Sequence, residues 1–157
     1  MPVELRALAS SDRTKIEAVL RSDATFRDGE VAVALELVDD ALENDQKDYW
    51  FRVAADGDQV AGYICYGPTP MTDATYDLYW IVVDKAFRGH GLARRLIDAM
   101  ESDLRERGAT GIRVETEQTE EYSAARKLYE RCDYPLAACL SDFYRAGEDL
   151  LIYYKTL

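Results

Sequence analysis

The feature that most constrains the fold is a long apolar segment that leads through a glycine-rich turn into an amphipathic helix. Residues 76–84 read Tyr-Asp-Leu-Tyr-Trp-Ile-Val-Val-Asp, and a continuous apolar run of this kind predicts a strand covered on both faces. Residues 91 to about 107 carry apolar side chains at helical spacing, and residues 111–117 predict another strand. A strand–helix–strand step returns the chain parallel to its first strand. We therefore expect one parallel pair in the middle of the sheet.

The remaining segments predict strands and helices of ordinary length. Ser10, Ser11 and Asp12 offer side-chain oxygens that can cap the first helix. The turn Asp56-Gly57-Asp58 predicts a hairpin. The predicted order is β-α-α-β-β-β-α-β-α-β-β, with the other elements at residues 3–8, 12–23, 30–43, 49–55, 59–66, 121–131, 136–144 and 150–155. This order indicates an α+β fold (α/β in some schemes) with a mixed central sheet, formed by residues 1–157 as a single domain.

Composition narrows the function classes. The chain carries 30 acidic and 19 basic residues, a formal net charge of −11, and such a surface repels the phosphate backbone of nucleic acids. Its three cysteines form no Cys-x-x-Cys pair, which disfavours a disulfide framework and a zinc site and favours a reducing cytoplasm. The first residues lack a secretory signal, and no apolar run approaches membrane-spanning length. We therefore expect a cytoplasmic protein with no bound metal and no nucleic-acid or membrane partner.

The turn between the central strand and its helix contains the parts of an anion site. Gly89 and Gly91 let an anion approach the backbone, and the N-terminus of the following helix leaves amides unpaired. Arg88 and Arg94 add positive charge. A dinucleotide fold fits less well because it requires a small residue in place of Arg94, and a P-loop requires Gly-Lys-Ser/Thr. The other alternative is that the glycines only form a tight turn.

The sequence on either side of this turn separates these alternatives. Arg-x-x-Gly-x-Ala at residues 88–93, just after Tyr-Trp-Ile-Val-Val-Asp, resembles the CoA-binding motif of the GNAT acetyltransferase superfamily. Residues 124–134 read Ala-Ala-Arg-Lys-Leu-Tyr-Glu-Arg-Cys-Asp-Tyr and are similar to the family's second signature, Ala-x-x-Leu-Tyr-Glu-x-x-Gly-Phe/Tyr after an Asn. Two positions depart from this pattern. Asp133 replaces the Gly, which a left-handed turn tolerates, and Tyr122 replaces the Asn.

The resemblance implies that acetyl-CoA binds at the turn and along the central strand. Main-chain groups of Ile81 and Val83 are expected to pair with pantetheine like an added strand, and amides of the turn to bind the diphosphate. Tyr122 occupies the position of the Asn that contacts pantetheine. His90 is expected to face solvent. The predicted coenzyme-binding residues are Ile81, Val82, Val83, Arg88, Gly89, His90, Gly91, Leu92, Ala93, Arg94 and Tyr122.

The resemblance also implies that the amine attacks the thioester directly in a ternary complex, without an acyl-enzyme. Tyr129 matches the family tyrosine that donates a proton to the departing thiolate; the alternative is a core aromatic. A cysteine nucleophile is disfavoured, because no cysteine has a histidine nearby in sequence. Free cysteines are more often buried apolar residues.

The resemblance also implies a base at Asp77, which lies four residues before Ile81 on the central strand, the spacing at which several family members carry a catalytic carboxylate. Strand alternation is expected to place Asp77 on one face with Tyr79, Ile81 and Val83, where partial burial would make it a better proton acceptor. The alternative is an ordinary aspartate at the start of a strand. Glu115 and Glu117, on the next strand, are reserve candidates.

The acceptor is the least constrained part of the prediction. Tyr63, Tyr66, Tyr76 and Tyr79 either hold a cationic amine through cation–π contacts or pack in the core. The two helices before the site are expected to shape the pocket, and the C-terminal hairpin to close one wall or to form a homodimer interface. The predicted function is N-acetylation of a primary amine of a small, cationic metabolite. The alternatives are a protein lysine or N-terminal acetyltransferase and a non-catalytic acyl-CoA sensor.

Overall fold

Seven strands form one sheet in the order β1-β2-β3-β4-β5-β7-β6 in the computed structural model, which describes residues 2–157. The elements are β1 Glu4–Arg6, α1 Asp12–Ser22, α2 Asp28–Glu43, β2 Trp50–Asp56, β3 Gln59–Pro68, β4 Thr75–Val83, α3 Leu92–Glu106, β5 Gly111–Glu117, α4 Ser123–Arg131, β6 Leu136–Arg145 and β7 Glu148–Thr156. Short 3-10 turns, Lys85–Phe87 and Glu120–Tyr122, precede α3 and α4. This confirms the predicted order and the mixed sheet.

Two apolar cores cover the faces of the sheet. On one face, Ile16 of α1 and Val38 of α2 pack against Val53 and Tyr63 of the sheet. On the other face, α3 inserts a stripe of buried side chains, Leu92, Leu96, Ile97, Met100 and Leu104. Because helices cover both faces, the central strands are apolar over most of their length. No helix within residues 2–157 combines the length and the apolarity needed to cross a membrane.

The parallel pair in the middle of the sheet is joined at one end only. Thr75–Leu78 of β4 pair with Gly111–Val114 of β5, and the register stops there. On its other edge, β4 remains paired with β3 as far as Val83. The last five residues of β4 therefore have main-chain groups that face β5 without pairing to it, and a gap opens between the two strands.

A bulge in β4 changes which side chains share a face. Tyr66 of β3 lies opposite Leu78, whereas Cys65 lies opposite Trp80, so Tyr79 is an extra residue in β4. An extra residue reverses the alternation of side chains beyond it. Leu78 and Ile81 consequently pack in the α3 core, whereas Tyr79 packs in the core beneath α1 and α2.

The prediction that Asp77, Tyr79, Ile81 and Val83 share one face is therefore wrong. Val83 packs with Ile81 in the α3 core. Asp77 lies between two residues that face that core, Tyr76 and Leu78, and so points to the opposite face.

Two local predictions about turns have different outcomes. The turn after α4 keeps its left-handed backbone, because Asp133 has φ = 64°. The predicted caps of α1 are wrong, since Ser11 occupies the N-cap position without a side-chain hydrogen bond. Asp12 is instead fully buried. Its carboxylate accepts one hydrogen bond from the Ala9 amide and two from the Arg6 guanidinium. Its carboxylate ties β1 to α1.

Candidate active site

A cleft of about 1480 Å³ opens where β4 and β5 separate. Its walls are the free half of β4, the end of β5, the turn before α3, α4, the α1–α2 loop and the β6–β7 hairpin. The sequence predicted the first three of these walls from the strand–turn–helix–strand pattern, and it also expected the first two helices to shape the pocket and the C-terminal hairpin to close one wall or form a dimer interface. The other walls come from segments far apart in the chain.

The turn before α3 presents unpaired backbone amides to the cleft. Gly89 and Gly91 have φ of 82° and 75°, which turn the chain sharply into the helix. A Cβ at either position would meet nothing within 4 Å, so the left-handed backbone, and not crowding, requires glycine. The first helical bond runs from the Arg95 amide to the Gly91 carbonyl. The amides of residues 92–94 consequently have no helical acceptor and lie at the positive end of the helix dipole.

Arg88 and Arg94 hold the walls of the cleft together. The Arg88 guanidinium donates to the Val83 carbonyl at 3.0 Å and to Asp23, at the end of α1, at 2.7 Å. Burial alone would raise the pKa of Asp23, but hydrogen bonds from Thr25 and Arg88 bring it below its ordinary value. Arg94 donates to the carbonyl of Arg131 at the C-terminal end of α4. Both arginines therefore fasten the turn to neighbouring elements.

The other predicted coenzyme-binding residues lie as follows. Ile81, Val82, Val83, Gly89, Gly91, Leu92, Ala93 and Tyr122 line the cleft together with Arg88 and Arg94. His90 is exposed at the tip of the turn and is not among the lining residues. The predicted set thus converges on one cleft except for its histidine.

Tyr122, which stands where the family has Asn, makes a contact that the sequence did not predict. Its hydroxyl donates to the Glu30 carboxylate on α2 at 2.6 Å. Burial, followed by the bond to Glu30 and that residue's charge, raises the pKa of the Tyr122 hydroxyl well above its ordinary value. The proton therefore stays on the tyrosine, and the bond links α2 to the segment before α4 across the cleft. No signal in the sequence pairs residues 92 positions apart.

Tyr129 lies on α4 with its ring among other aromatics. The ring centroid is 5.7 Å from that of Tyr153 and 6.2 Å from that of Tyr134, and the residue lines the cleft. Burial raises the pKa of its hydroxyl well above the ordinary value. Tyr129 therefore keeps its proton at neutral pH.

Asp77 lies in the cleft but is already engaged. Arg113 of β5 donates to both of its oxygens, at 2.7 and 3.2 Å, and the Thr69 hydroxyl donates to one of them at 2.7 Å. The residue is 6% exposed, so the predicted burial is present. An arginine on both oxygens competes for the lone pairs that would accept a substrate proton. This arrangement favours a positioning role for Asp77.

Glu115 and Glu117, the reserve candidates, line the cleft on the far part of β5. Glu115 is exposed and Glu117 is half-buried. Burial raises the pKa of the Glu117 carboxyl, and the charges of Glu30 and Glu148 raise it further. Sequence reasoning named Glu117 only as a reserve beside Glu115, because the surroundings that distinguish it come from α2, β6 and β7.

The four strand tyrosines are divided between the core and the cleft. Tyr63 and Tyr66 are fully buried and belong to the two cores. Tyr76 packs against Trp50. Tyr79 alone among these four lines the cleft. The core interpretation is therefore correct for the first three.

Two of the three cysteines are buried, and the third, Cys139, is exposed on β6. Cys65 is buried in the α1–α2 core, where burial raises the pKa of its thiol well above the ordinary value. Cys132 lines the cleft, and burial likewise raises the pKa of its thiol. A protonated thiol is a weak nucleophile. Both observations agree with direct attack by the amine.

Comparisons with known proteins agree with this geometry. The sequence profile of the acetyltransferase (GNAT) family matches residues 13–134. A candidate GNAT-family acetyltransferase from Desulfovibrio desulfuricans is 38% identical, with a TM-score of 0.95 over 99% of both chains. A search of curated proteins gives no match.

Two more distant structures share the fold alone. The ribosomal-protein-S18-alanine N-acetyltransferase of Escherichia coli is 19% identical, with a TM-score of 0.78 over 99% of this chain and 94% of the other. An aminoglycoside 6'-N-acetyltransferase complexed with coenzyme A is 17% identical, with a TM-score of 0.77 over 98% of this chain and 96% of the other. The profile match over most of the chain and the likeness along its whole length show that this protein belongs to the GNAT family of acetyl-CoA-dependent acetyltransferases.

Proposed function

We propose that this acetyltransferase moves the acetyl group of acetyl-CoA to a primary amine of a small, cationic metabolite. One observation carries the proposal: a single cleft has unpaired amides at one end and a half-buried carboxylate, Glu117, at the other. The first end suits a diphosphate and the second suits an ammonium group.

The residues of the first end fit acetyl-CoA. The amides of residues 92–94 would receive the diphosphate, and the main-chain groups of Ile81 and the amide of Val83, whose carbonyl is bonded to Arg88, would pair with the pantetheine amides. The coenzyme supplies an electrophilic thioester carbonyl. The gap between β4 and β5 leaves a path along which that carbonyl meets the acceptor.

Tyr129 is the proposed proton donor to the departing CoA thiolate. It lines the cleft on α4 and holds its proton at neutral pH. Asp77, the other predicted catalytic residue, is proposed to orient Arg113 beside the acceptor, since that arginine occupies both of its oxygens. Tyr122 is proposed to hold α2 against the coenzyme cleft through Glu30.

A small acceptor is favoured over a protein chain because the acceptor end is closed on several sides. The Tyr122–Glu30 bond crosses it, and Tyr144 and Arg145 of the β6–β7 hairpin form another wall. An acetyltransferase acting on proteins needs an open groove for an extended peptide. Tyr144, Arg145 and Glu30 all line this cleft.

The β6 edge supports a proposal that two copies pair. β6 bonds to β7 on one side only, and Leu136, Leu140 and Phe143 are 54%, 45% and 55% exposed. A long apolar edge strand is a template for a second strand. Light scattering should show a dimer, and Leu140→Lys should shift it to a monomer. The free, buried thiols of Cys65 and Cys132 support a reducing cytoplasm as the location, which cell fractionation tests.

The test of the function combines calorimetry with CoA and release of free thiol from acetyl-CoA. The acceptor panel contains 1,4-diaminobutane, an aminoglycoside and a tripeptide with a free N-terminal alanine. Turnover of the diamine or the aminoglycoside supports the proposal. Turnover of the tripeptide alone would replace it with protein acetylation, and coenzyme binding without any turnover would indicate a sensor.

A further inference from the structure

We infer that Glu117 takes the proton from the incoming ammonium group and thereby selects amines that are cationic in solution. This inference rests on the proposed function. The general base is thereby assigned to Glu117 on β5, whereas the sequence predicted Asp77 on β4.

The position of Glu117 in the sheet directs it toward the acceptor. Ile112 and Val114 of β5 face the α3 core, so Arg113, Glu115 and Glu117 face the opposite side by strand alternation. Beyond Val114, β5 has no ladder to β4. Glu117 therefore borders the gap through which the thioester and the amine must meet.

Among the acidic side chains of the cleft, three form neither a hydrogen bond nor an ion pair within residues 2–157: Glu117, which is half-buried, and Glu115 and Glu121, which are exposed. Asp77 is held by Arg113, Glu30 accepts the Tyr122 hydroxyl, and Asp23 is held by Arg88. Within residues 2–157, the Glu117 carboxylate takes part in no ion pair. Its oxygens are consequently free to accept a proton from a substrate.

The charges facing Glu117 come from every neighbouring element. Glu30 of α2 and Glu148 of β7 make it harder to ionise, whereas Arg145 of β6 and Arg27 of the α1–α2 loop oppose them. Burial has the largest effect, and the net result is that the pKa of the Glu117 carboxyl is raised. A carboxylate of higher pKa accepts a proton more readily.

The remaining polar groups nearby do not neutralise it. Tyr122 and Tyr144 keep their hydroxyl protons, since burial raises both pKa values, and Glu117 raises them further. Arg126 of α4 is directed at the main chain and donates to the carbonyls of Glu117 and Thr119. The part of the cleft around the Glu117 side chain is thus negative. This charge favours an ammonium ion over an amine that carries its own carboxylate.

The proposed acetyl transfer moves protons through Glu117 and Tyr129. The ammonium N–H bond breaks, its proton moves to the Glu117 carboxylate, and the amine lone pair forms a C–N bond to the thioester carbonyl. The C–S bond then breaks, and the departing thiolate takes the Tyr129 proton. The tyrosinate recovers a proton from the new amide nitrogen, and Glu117 releases its proton to water. The products are the N-acetyl amine, CoA thiol and one proton.

The kinetic test compares Glu117→Gln with Glu120→Gln. The control removes one equal charge from the exposed 3-10 turn beside the cleft and is not a lining residue. With the same amine panel, Glu117→Gln should lower kcat/KM about 10²- to 10⁴-fold at neutral pH. Its rate should then rise with pH as the amine deprotonates in solution. The control, Glu120→Gln, should keep the wild-type decrease of kcat/KM at acid pH, which is the acid limb of the pH–rate profile.

A second measurement does not depend on turnover. The ¹³C carboxyl resonance that disappears in Glu117→Gln should titrate above the ordinary glutamate value of about 4.3 in the wild-type protein. Titration at or below that value overturns the inference.

The outcomes separate this inference from the proposed function. Failure to bind CoA, or coenzyme binding without acetylation, refutes the function, and the carboxyl titration still decides the state of Glu117. Acetylation that proceeds with an unchanged pH profile in Glu117→Gln refutes the inference alone. Loss of the acid limb together with a raised carboxyl titration supports both.

Discussion

Gly91→Ala provides a quantitative test of how the turn before α3 binds the coenzyme. Gly91 has φ = 75°, and a Cβ there meets nothing within 4 Å, so the substitution adds backbone strain without a clash. Placing alanine in the left-handed region costs about 1–2 kcal/mol. Because the turn is exposed, we expect it to relax in the free protein. Coenzyme binding must then restore the strained form.

The strain therefore appears as lost affinity. A cost of about 1–2 kcal/mol corresponds to a Kd that is about 5- to 30-fold weaker, since 1.4 kcal/mol is a factor of ten. The matched control is Gly57→Ala, which introduces the same strain at φ = 61° in the β2–β3 turn, away from the cleft. Gly57→Ala should lower the free energy of unfolding by about 1–2 kcal/mol and leave the CoA affinity unchanged.

Calorimetry with CoA and urea unfolding measure the two quantities. The reasoning is refuted if both variants bind CoA as tightly as the wild-type protein. It is also refuted if the affinity loss and the stability loss of Gly91→Ala sum to much less than the stability loss of Gly57→Ala.

Three further predictions concern the acid, a buried ion pair and the dependence of stability on pH. Tyr129→Phe should lower kcat about 10²-fold or more with unchanged CoA affinity, because the ring remains and the proton is removed; an unchanged kcat excludes the acid role. Arg113→Ala should destabilise the protein by about 2 kcal/mol in urea, because Asp77 loses its cation while largely buried, and Asp77→Asn in the same background should recover part of that loss. The pKa of Asp12 is lowered: burial raises it, but the bonds from Arg6 and the Ala9 amide outweigh burial. Its contribution is therefore complete above the unfolded value of about 3.9 and is lost as pH falls below it, so the stability difference between wild type and Asp12→Asn should shrink in acid. A difference that stays constant from neutral pH into acid would contradict this.

Local signals predicted most of the fold. The helical period of α3, the apolar run of β4 and the glycine turn between them are all patterns of residues that are neighbours in sequence. The parallel pair follows from that step because a strand–helix–strand crossover permits no other direction within the sheet. Boundaries differ by one or two residues at most elements, as at β1, which the sequence predicts over residues 3–8 and which spans Glu4–Arg6.

The bulge at Tyr79 marks where local reasoning ends. Strand alternation predicts faces only while the register is regular, and nothing in residues 75–83 shows that β3 lies opposite with one residue fewer. Asp77 meets Arg113, which lies 36 positions away in sequence, because the parallel register places the two residues opposite each other on β4 and β5. Neither the changed face nor the ion pair could be predicted from the strand alone.

The sequence by itself determined the turn proposed to bind the coenzyme, because a strand, a turn and a helix in one continuous segment create the unpaired amides. Only the tertiary structure decided the acceptor end. Glu30, Glu117 and Tyr122 come together when α2, β5 and the segment before α4 pack around one cleft. The physical reason is that a carboxylate's proton affinity depends on the burial and the charges that folding places around it, and these come from residues distant in the chain.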